Sequence, residues 1–577
     1  MRLCFFILLV LAALSRLLFL GSNPAGVFRD EAEKGYSAWC VMEVGGVYDL
    51  NPFREPDLIV QTSQRLPGMG ALPQELRNEP APPRPRILPF FVNVWGSTTS
   101  MIYQYAAAPL VLVGGLNAWM LRLPAAIIGI FTVIFAFLLA RRLEGDPRTG
   151  LWTMAFLAFS PWHLVFSRWA QQGIFVPFLL SAALILMLKP ADPLCKLDNK
   201  RALRRMEDRF RLGIICFGLA FYAYSGARPF LLLFVGWMVV VFLPEIRRHY
   251  KQALRLSLIT ILVLAPTFYA MLSGGGEGMG RFQRISVFGT DEALPRQLLQ
   301  FFINYISHLN PWYLFFSGDS LPRHGLPGFG VMMHVEVLFF PVGLFLCLRR
   351  RNKADLLLIG WFLLAPVSAA LTREGIPHAL RTLHAIPAPQ IISALGAVAC
   401  WDWLRAKSPR LRWAMPTLLG VQAAAILFVL FFVYPAWSAP WFEYGVREAI
   451  EERAEITGSE LSATSMPLHI QTGGAPPGGN LPYCYELYFY HAKISPHLIQ
   501  SQGLSHVPIR LHPPGRPAES LLRQMQKGES LLAPSMDYYH LYQRAIQAQG
   551  IKAKPVLFPT SPFSDSPSEA LRLVVAP

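Results

Sequence analysis

Long apolar runs, each ended by a short polar stretch, recur through the first three quarters of this chain. At 1.5 Å of rise per helical residue, runs of this length suit a hydrocarbon layer of ~30 Å. They predict eleven membrane-spanning helices, over 3–20, 119–140, 151–166, 174–188, 212–225, 229–243, 256–272, 331–348, 355–371, 383–400 and 414–434. Beyond 435 the pattern changes to short alternating runs at Leu461–Ile470, Glu529–Pro534, Ala553–Phe558 and Ala570–Val575, with amphipathic stretches at Tyr483–Ala492 and Asp537–Gln549. Period two predicts strands, and the wider spacing predicts helices. The expected fold is mainly α. A polytopic membrane domain over 1–435, with outer loops 21–118 and 273–330, precedes a small extracytoplasmic α/β domain over 436–577.

Composition supports this class. The 577 residues are 53% hydrophobic and only 15% charged, with a mean hydropathy of +0.36, whereas soluble domains are about a quarter charged. The net charge of +16 would point to nucleic acid in a soluble chain. Here the bases sort by connection instead. Arg141, Arg142 and Arg148 mark one loop, and Lys196 to Arg211 the next. Arg247 to Arg255, Arg349 to Lys353, and Arg405 to Arg412 mark three more. All five fall on the side of the N-terminus, which the positive-inside rule makes cytoplasmic, and the tail is expected outside. No nucleic-acid partner is expected.

Residues 101–116 (MIYQYAAAPLVLVGGL) are apolar enough for a twelfth span, but counting them would invert every later loop. They are read as re-entrant or interfacial. A cleaved signal peptide competes for the first 20 residues; Arg16 interrupts the apolar run and no A-x-A site follows, so an uncleaved span is expected. Of seven cysteines, only Cys40 and Cys484 share the outer compartment, and no spacing indicates a disulfide framework or a zinc site.

Chemistry is sought among charges on the outer side. Arg29-Asp30-Glu31 follows the first span; alone, it reads equally well as a solvated loop. Arg228 lies in a tight turn between two spans, Arg168 in Phe166–Trp169, and His378 and Arg381 in Gly375–Arg381. Cations on the side that disfavours them fit an anionic lipid phosphate. Snorkelling of a long side chain is the competing explanation, and the preferred one for Arg168. The glycine run Ser273–Gly280 follows a helix rather than a strand, so it is a hinge or lid and not a dinucleotide fingerprint. Arg281, Arg284, Arg323 and His324 make the remainder of that loop basic. Pro80–Arg86 favours extended polyproline conformation.

The order of these features resembles the GT-C superfamily of membrane glycosyltransferases, and most closely bacterial relatives of the protein O-mannosyltransferase and lipid A aminoarabinose transferase group (glycosyltransferase family 39-like). Arg29-Asp30-Glu31-Ala32 looks like the family's first-loop acidic motif. Leu121–Gly129 is similar to the start of its second span, and Ser160-Pro161-Trp162-His163 through Arg168 to the end of its third. The resemblance covers about 1–435 and does not extend to the tail. It implies sugar transfer from a polyprenyl-phosphate donor to a glycan, lipid or protein acceptor at the outer face of the cytoplasmic (inner) membrane. On the family motif Asp30 would be the base, and Glu31 its backup or an orienting group. Arg228 and Arg381, helped by His378 and by Arg281, Arg284, Arg323 and His324, would bind the donor phosphate. Arg29, which would weaken Asp30 by pairing with it, is expected to point elsewhere. Many relatives carry a second acid between the third and fourth spans, where this chain has Gln171-Gln172. An amide is no base and a poor ligand for a hard cation. A metal bridged by two carboxylates is thus disfavoured, and dependence on a divalent metal stays open.

Two other classes would use the same basic turns. A transporter or flippase of lipid-linked sugars would need no acid at the first exit, and the internal repeats and midspan acids common in transporters are missing from the sequence. A non-catalytic assembly protein would tolerate loss of Asp30.

Overall fold

The computed structural model describes residues 1–47, 86–87, 90–94, 97–188, 200–273, 282, 285–408, 410–443, 446–447, 450–451, 468–471, 485–498, 509–512, 530–534, 552–556 and 571–575. The described chain is mostly helical. In order, α1 is Arg2–Leu17, α2 Arg29–Val44, α3 Ile102–Gly114, α4 Ala118–Glu144, α5 Pro147–Ala158, α6 Pro161–Phe166, α7 Phe175–Met187 and α8 Lys200–Ala223. They are followed by α9 Arg228–Val241, α10 Leu243–Arg248, α11 Tyr250–Ser273, α12 Leu294–Leu309, α13 Glu336–Arg350, α14 Lys353–Leu364, α15 Val367–Ala370, α16 Ala379–Thr382, α17 Ala388–Lys407, α18 Ala414–Phe428, α19 Tyr434–Ser438 and α20 Tyr485–Ala492. Local signals set several boundaries. Asp146 caps α5 ahead of Pro147, Ser160 caps α6 ahead of Pro161, and Asn352 with Asp355 closes a capping box on α14.

Helix occupies most of each range expected to span. Four helical segments are long and apolar enough to cross a membrane singly: Ala118–Glu144, Tyr250–Tyr269, Lys353–Ala370 and Leu411–Phe442. Two bent pairs, with angles of 115° and 58°, raise the number to six among the described residues. Several expected crossings are therefore short or broken, a feature that an apolar run does not reveal. The disputed segment 101–116 forms α3, whose 13 residues reach only about 20 Å.

The chain divides into two compact units. The first comprises Met1–Leu18, Gly96–Tyr103 and Leu123–Phe431; the second comprises Phe19–Trp95, Gln104–Arg122 and Phe432–Pro577. In the first, α13 and α17 touch at Gly343 and Gly396, where a Cβ on either would run into backbone of the other helix. Two fully buried arginines fasten α1 to its neighbours. Arg16 donates to Leu157 O at 3.3 Å and Ala158 O at 3.1 Å at the end of α5, and Arg168 donates to Ser15 O at 2.6 Å and Leu18 O at 2.7 Å at the end of α1. Each guanidinium satisfies helix C-terminal carbonyls, where positive charge is favoured. Snorkelling is thus the wrong explanation for Arg168, which is buried among carbonyls that need a donor.

The loop 273–330 also differs from expectation, because it contains α12. This helix is inverted: Gln297, Asn304 and His308 are buried, while Leu294, Leu299, Phe302, Ile303 and Ile306 are exposed. Arg281, Arg284 and nearly all of the glycine run lie outside the described residues.

In the second unit, Gly46–Val47 (β1) pairs antiparallel with Arg86–Ile87 (β2). The tail forms a five-stranded sheet from β3 (Leu468–Gln471), β4 (Ile509–His512), β5 (Ser530–Pro534), β6 (Lys552–Val556) and β7 (Leu571–Val575), in the order β4-β3-β5-β7-β6. The β3 strand is parallel to β4 and β5, and β7 is antiparallel to β5 and β6. Parallel neighbours need a crossover, and α20 lies in the one between β3 and β4. Helices α2 and α20 pack closely. A Cβ at Gly35 would come within 2.7 Å of Tyr490, and Tyr36 Oη donates to Ile494 O at 2.9 Å. The segments Pro80–Pro85 and Asp537–Gln549, and Cys484, lie outside the described residues.

Candidate functional site

The first cluster belongs to the second unit. Asp30 and Glu31 occupy the first turn of α2, where the helix dipole favours anions. Glu31 is fully buried against Arg122. Arg122 Nε and Nη2 donate to its two oxygens, each at 2.9 Å, and Phe28 N donates to Oε2 at 3.2 Å. The other guanidinium hydrogens go to Leu20 O, Pro24 O and Gly26 O, at 3.2, 2.8 and 2.6 Å. All five donors of Arg122 are thus engaged, and the chain from Leu20 to Glu31 is clamped. Glu31, expected as backup base or orienting group, is engaged as an anchor.

Asp30 is half-buried, and among the described residues its carboxylate has no hydrogen-bond or ion-pair partner. Lys34, itself buried, donates to the Asp30 carbonyl at 2.7 Å. Arg29 turns away, as the sequence argument requires: its Nε and backbone N donate to Glu443, each at 2.6 Å. One carboxyl escaped the sequence reading. Glu33 is buried, three residues after Asp30 and therefore on the same helix face. It accepts from Ser37 Oγ at 3.2 Å and Gln104 Nε2 at 3.4 Å. Burial raises its pKa above the ordinary carboxyl value, with the charge of Lys34 opposing and that of Asp30 adding to the rise. The signal available was a third acid in the DEAE run.

The second cluster belongs to the first unit and unites four of the expected phosphate ligands. Asp319 Oδ2 accepts from His324 Nδ1 at 2.9 Å and from Ala379 N at 2.8 Å, and Oδ1 accepts from Leu321 N at 2.9 Å. His378 Nδ1 lies 3.9 Å from the same carboxylate. Arg381 donates to Thr372 Oγ1 and Glu374 O, and Arg323 is close enough for its charge to act on both histidines. Burial first, then the neighbouring His324 and after it Arg381, hold His378 well below the ordinary histidine value; burial also lowers His324, with Asp319 opposing. Both imidazoles are therefore neutral near pH 7 and offer lone pairs and N–H groups instead of charge. His308, lowered to about 4 chiefly by burial, accepts from His378 N at 2.9 Å. Asp319 and His308 were missed as site residues because no local pattern ties them to residue 378.

Arg228 keeps apart from this cluster in its contacts. It is buried at the start of α9, with its Nε 3.3 Å from Phe221 O and its guanidinium over the Phe221 ring. Gln171 and Gln172 precede α7, and among the described residues both side-chain carbonyls lack a hydrogen-bond donor.

Residues 86–271 match the family described as Dolichyl-phosphate-mannose-protein mannosyltransferase. The match begins after Asp30 and Glu31. No curated protein matches the chain. Among solved structures, ArnT from Cupriavidus metallidurans in the apo state aligns over 99% of this chain and 97% of its own, with 13% identity and a TM-score of 0.54. The same protein bound to undecaprenyl phosphate gives the same coverage and identity and a TM-score of 0.55. At that identity the likeness establishes fold. The resemblance read from the sequence is thus met twice, by a mannosyltransferase-family match over residues 86–271 and by a fold shared with ArnT along nearly all of the chain.

Proposed function

We propose that this protein transfers a sugar from a polyprenyl-phosphate-linked donor to a glycan, lipid or protein acceptor at the outer face of the cytoplasmic membrane, with Asp30 as the base. The observation that carries the proposal is the contrast at the start of α2. Glu31 is immobilised by Arg122, whereas the neighbouring Asp30 carboxylate has no such partner among the described residues. A base must be fixed in place yet keep its lone pairs for the acceptor. The matching family is described by a dolichyl-phosphate-mannose donor, and one ArnT structure of this fold holds undecaprenyl phosphate; both favour a lipid-phosphate donor.

Asp30 takes the proton of the acceptor hydroxyl or amine as it attacks the anomeric carbon, and the lipid phosphate departs. Fixed cations stabilise the charge that develops on that phosphate. Arg381 and Arg323 supply charge, and His324 and His378 supply neutral donors. Arg228, Arg281 and Arg284 complete the proposed set. The N-terminus is cytoplasmic, and residues 436–577 form an extracytoplasmic accessory domain.

Purified protein should release polyprenyl phosphate from a lipid-linked sugar in the presence of acceptor. Asp30→Asn should abolish release while donor binding persists. Normal turnover in that variant removes Asp30 as base, and normal turnover with Asp30 and Glu31 both neutralised removes the mechanism. A flippase would keep moving lipid in either variant.

A further inference from the structure

The turn after α12 and the residue preceding α16 bring three metal-capable side chains together. Asp319, His324 and His378 are all buried, and one ligand-capable atom from each lies within 4.8 Å of the others. Asp319 Oδ2 stands 2.9 Å from His324 Nδ1 and 3.9 Å from His378 Nδ1. In a tetrahedral site with bonds of about 2.0–2.1 Å, neighbouring ligand atoms are roughly 3.3 Å apart, between those two distances. The support is already built. Ala379 N and Leu321 N fix the carboxylate, His308 Nε2 accepts from His378 N, and the Phe166 and Trp169 rings pack beside His324. Besides its approach to Asp319, Nδ1 of His378 accepts one long hydrogen bond, 3.5 Å, from Arg381 N, which a metal would displace.

We propose that Asp319, His324 and His378 bind a divalent first-row transition metal of the zinc type, whose open position takes an anionic oxygen of the donor phosphate. Two imidazoles and one carboxylate suit such ions and do not suit magnesium, which prefers oxygen ligands and keeps its waters. His324 offers Nδ1 to the metal by carrying its proton on Nε2 instead, so the ring stays neutral and no proton is released. The charged groups facing the site, Arg323 and Arg381, make a bare dication costly; Glu374, 3.8 Å from Arg381, offsets part of that charge. An anionic fourth ligand offsets the remainder. Only that fourth ligand rests on the donor reading above.

The test uses full-length protein without a histidine tag, in nanodiscs and free of substrate, so its outcome is independent of glycosyl transfer. After stripping with EDTA, the protein should take up about one equivalent of Zn²⁺ and melt at a higher temperature, and Mg²⁺ should do neither. X-ray absorption on the wild-type protein should show two imidazole ligands and first-shell bonds of about 2.0–2.1 Å. His324→Gln and His378→Gln should each lose the bound zinc and the zinc-dependent rise in melting temperature. Failure of the stripped wild type to take up zinc overturns the proposal. So does zinc retained equally by the double variant, or a melting rise given by inorganic phosphate in EDTA and not by zinc.

Discussion

Arg122 is the residue on which the geometry of the first loop depends. Replacing it with glutamine leaves the Glu31 carboxylate buried and unpaired, a change that costs about 3–5 kcal/mol where a buried pair is broken. Arg122→Gln should therefore unfold earlier in denaturant or heat, and Glu31→Gln/Arg122→Gln should recover part of the loss; a double variant as unstable as the single one would argue against the pair. Glu33 gives a pH signature. Its folded-state value is raised, so the folded protein holds its proton more tightly and ionisation works against folding. The penalty is absent below the ordinary carboxyl value of 4.5 and grows as pH rises through the folded value. The melting-temperature advantage of Glu33→Gln over wild type should accordingly increase from pH 4.5 towards neutrality, and a gap that ignores pH would contradict this. Sequence made Asp30, Glu31 and the cations of the turns expected on the outer side visible because each is a charge out of place in the expected topology. It did not reveal that Arg122 holds Glu31, since partners 91 positions apart leave no local pattern.

At the scale of elements, the reading succeeded where a helix is a continuous apolar run and failed where it is not. Helix α12 has its apolar face outward and its polar face inward, so neither a hydropathy window nor the usual core-facing stripe identifies it. Its buried amides make specific bonds: Asn304 Nδ2 donates to Ala370 O at 3.3 Å and Thr372 O at 2.9 Å, and Gln297 Nε2 donates to Thr290 O and Glu292 O. The usual ranking of substitutions should reverse here. Asn304→Ala leaves buried carbonyls without donors and should cost about 1–3 kcal/mol. Ile303→Ala, at a position 53% exposed, should change stability in detergent by no more than about 0.5 kcal/mol. Thermal unfolding of the two variants side by side checks the order.

For the whole molecule, the topology expected from sequence rests on charge sorting between loops rather than on any motif. That sorting allowed 101–116 to be set aside as a crossing; α3 is short, but so is α7, likewise a helix of 13 residues and within an expected span. A reporter fused after residue 200 should report cytoplasm, and one fused to the C-terminus the opposite side; matching signals would break the proposed topology. Long-range order was less legible. The strand at 509–512 was missed, and the compact unit containing the tail also takes in residues 19–95 and 104–122, because contacts between distant segments have no period to read. The Glu31–Arg122 clamp has a further consequence during synthesis. At about 5–20 residues per second, the 91 positions between these residues take roughly 5–18 s to translate. For that interval the newborn first loop carries Glu31 with no counter-ion from Arg122. The loop can settle only when the start of α4 emerges from the ribosome, so whatever guards the nascent chain must tolerate an unfinished acidic turn beside an already inserted helix.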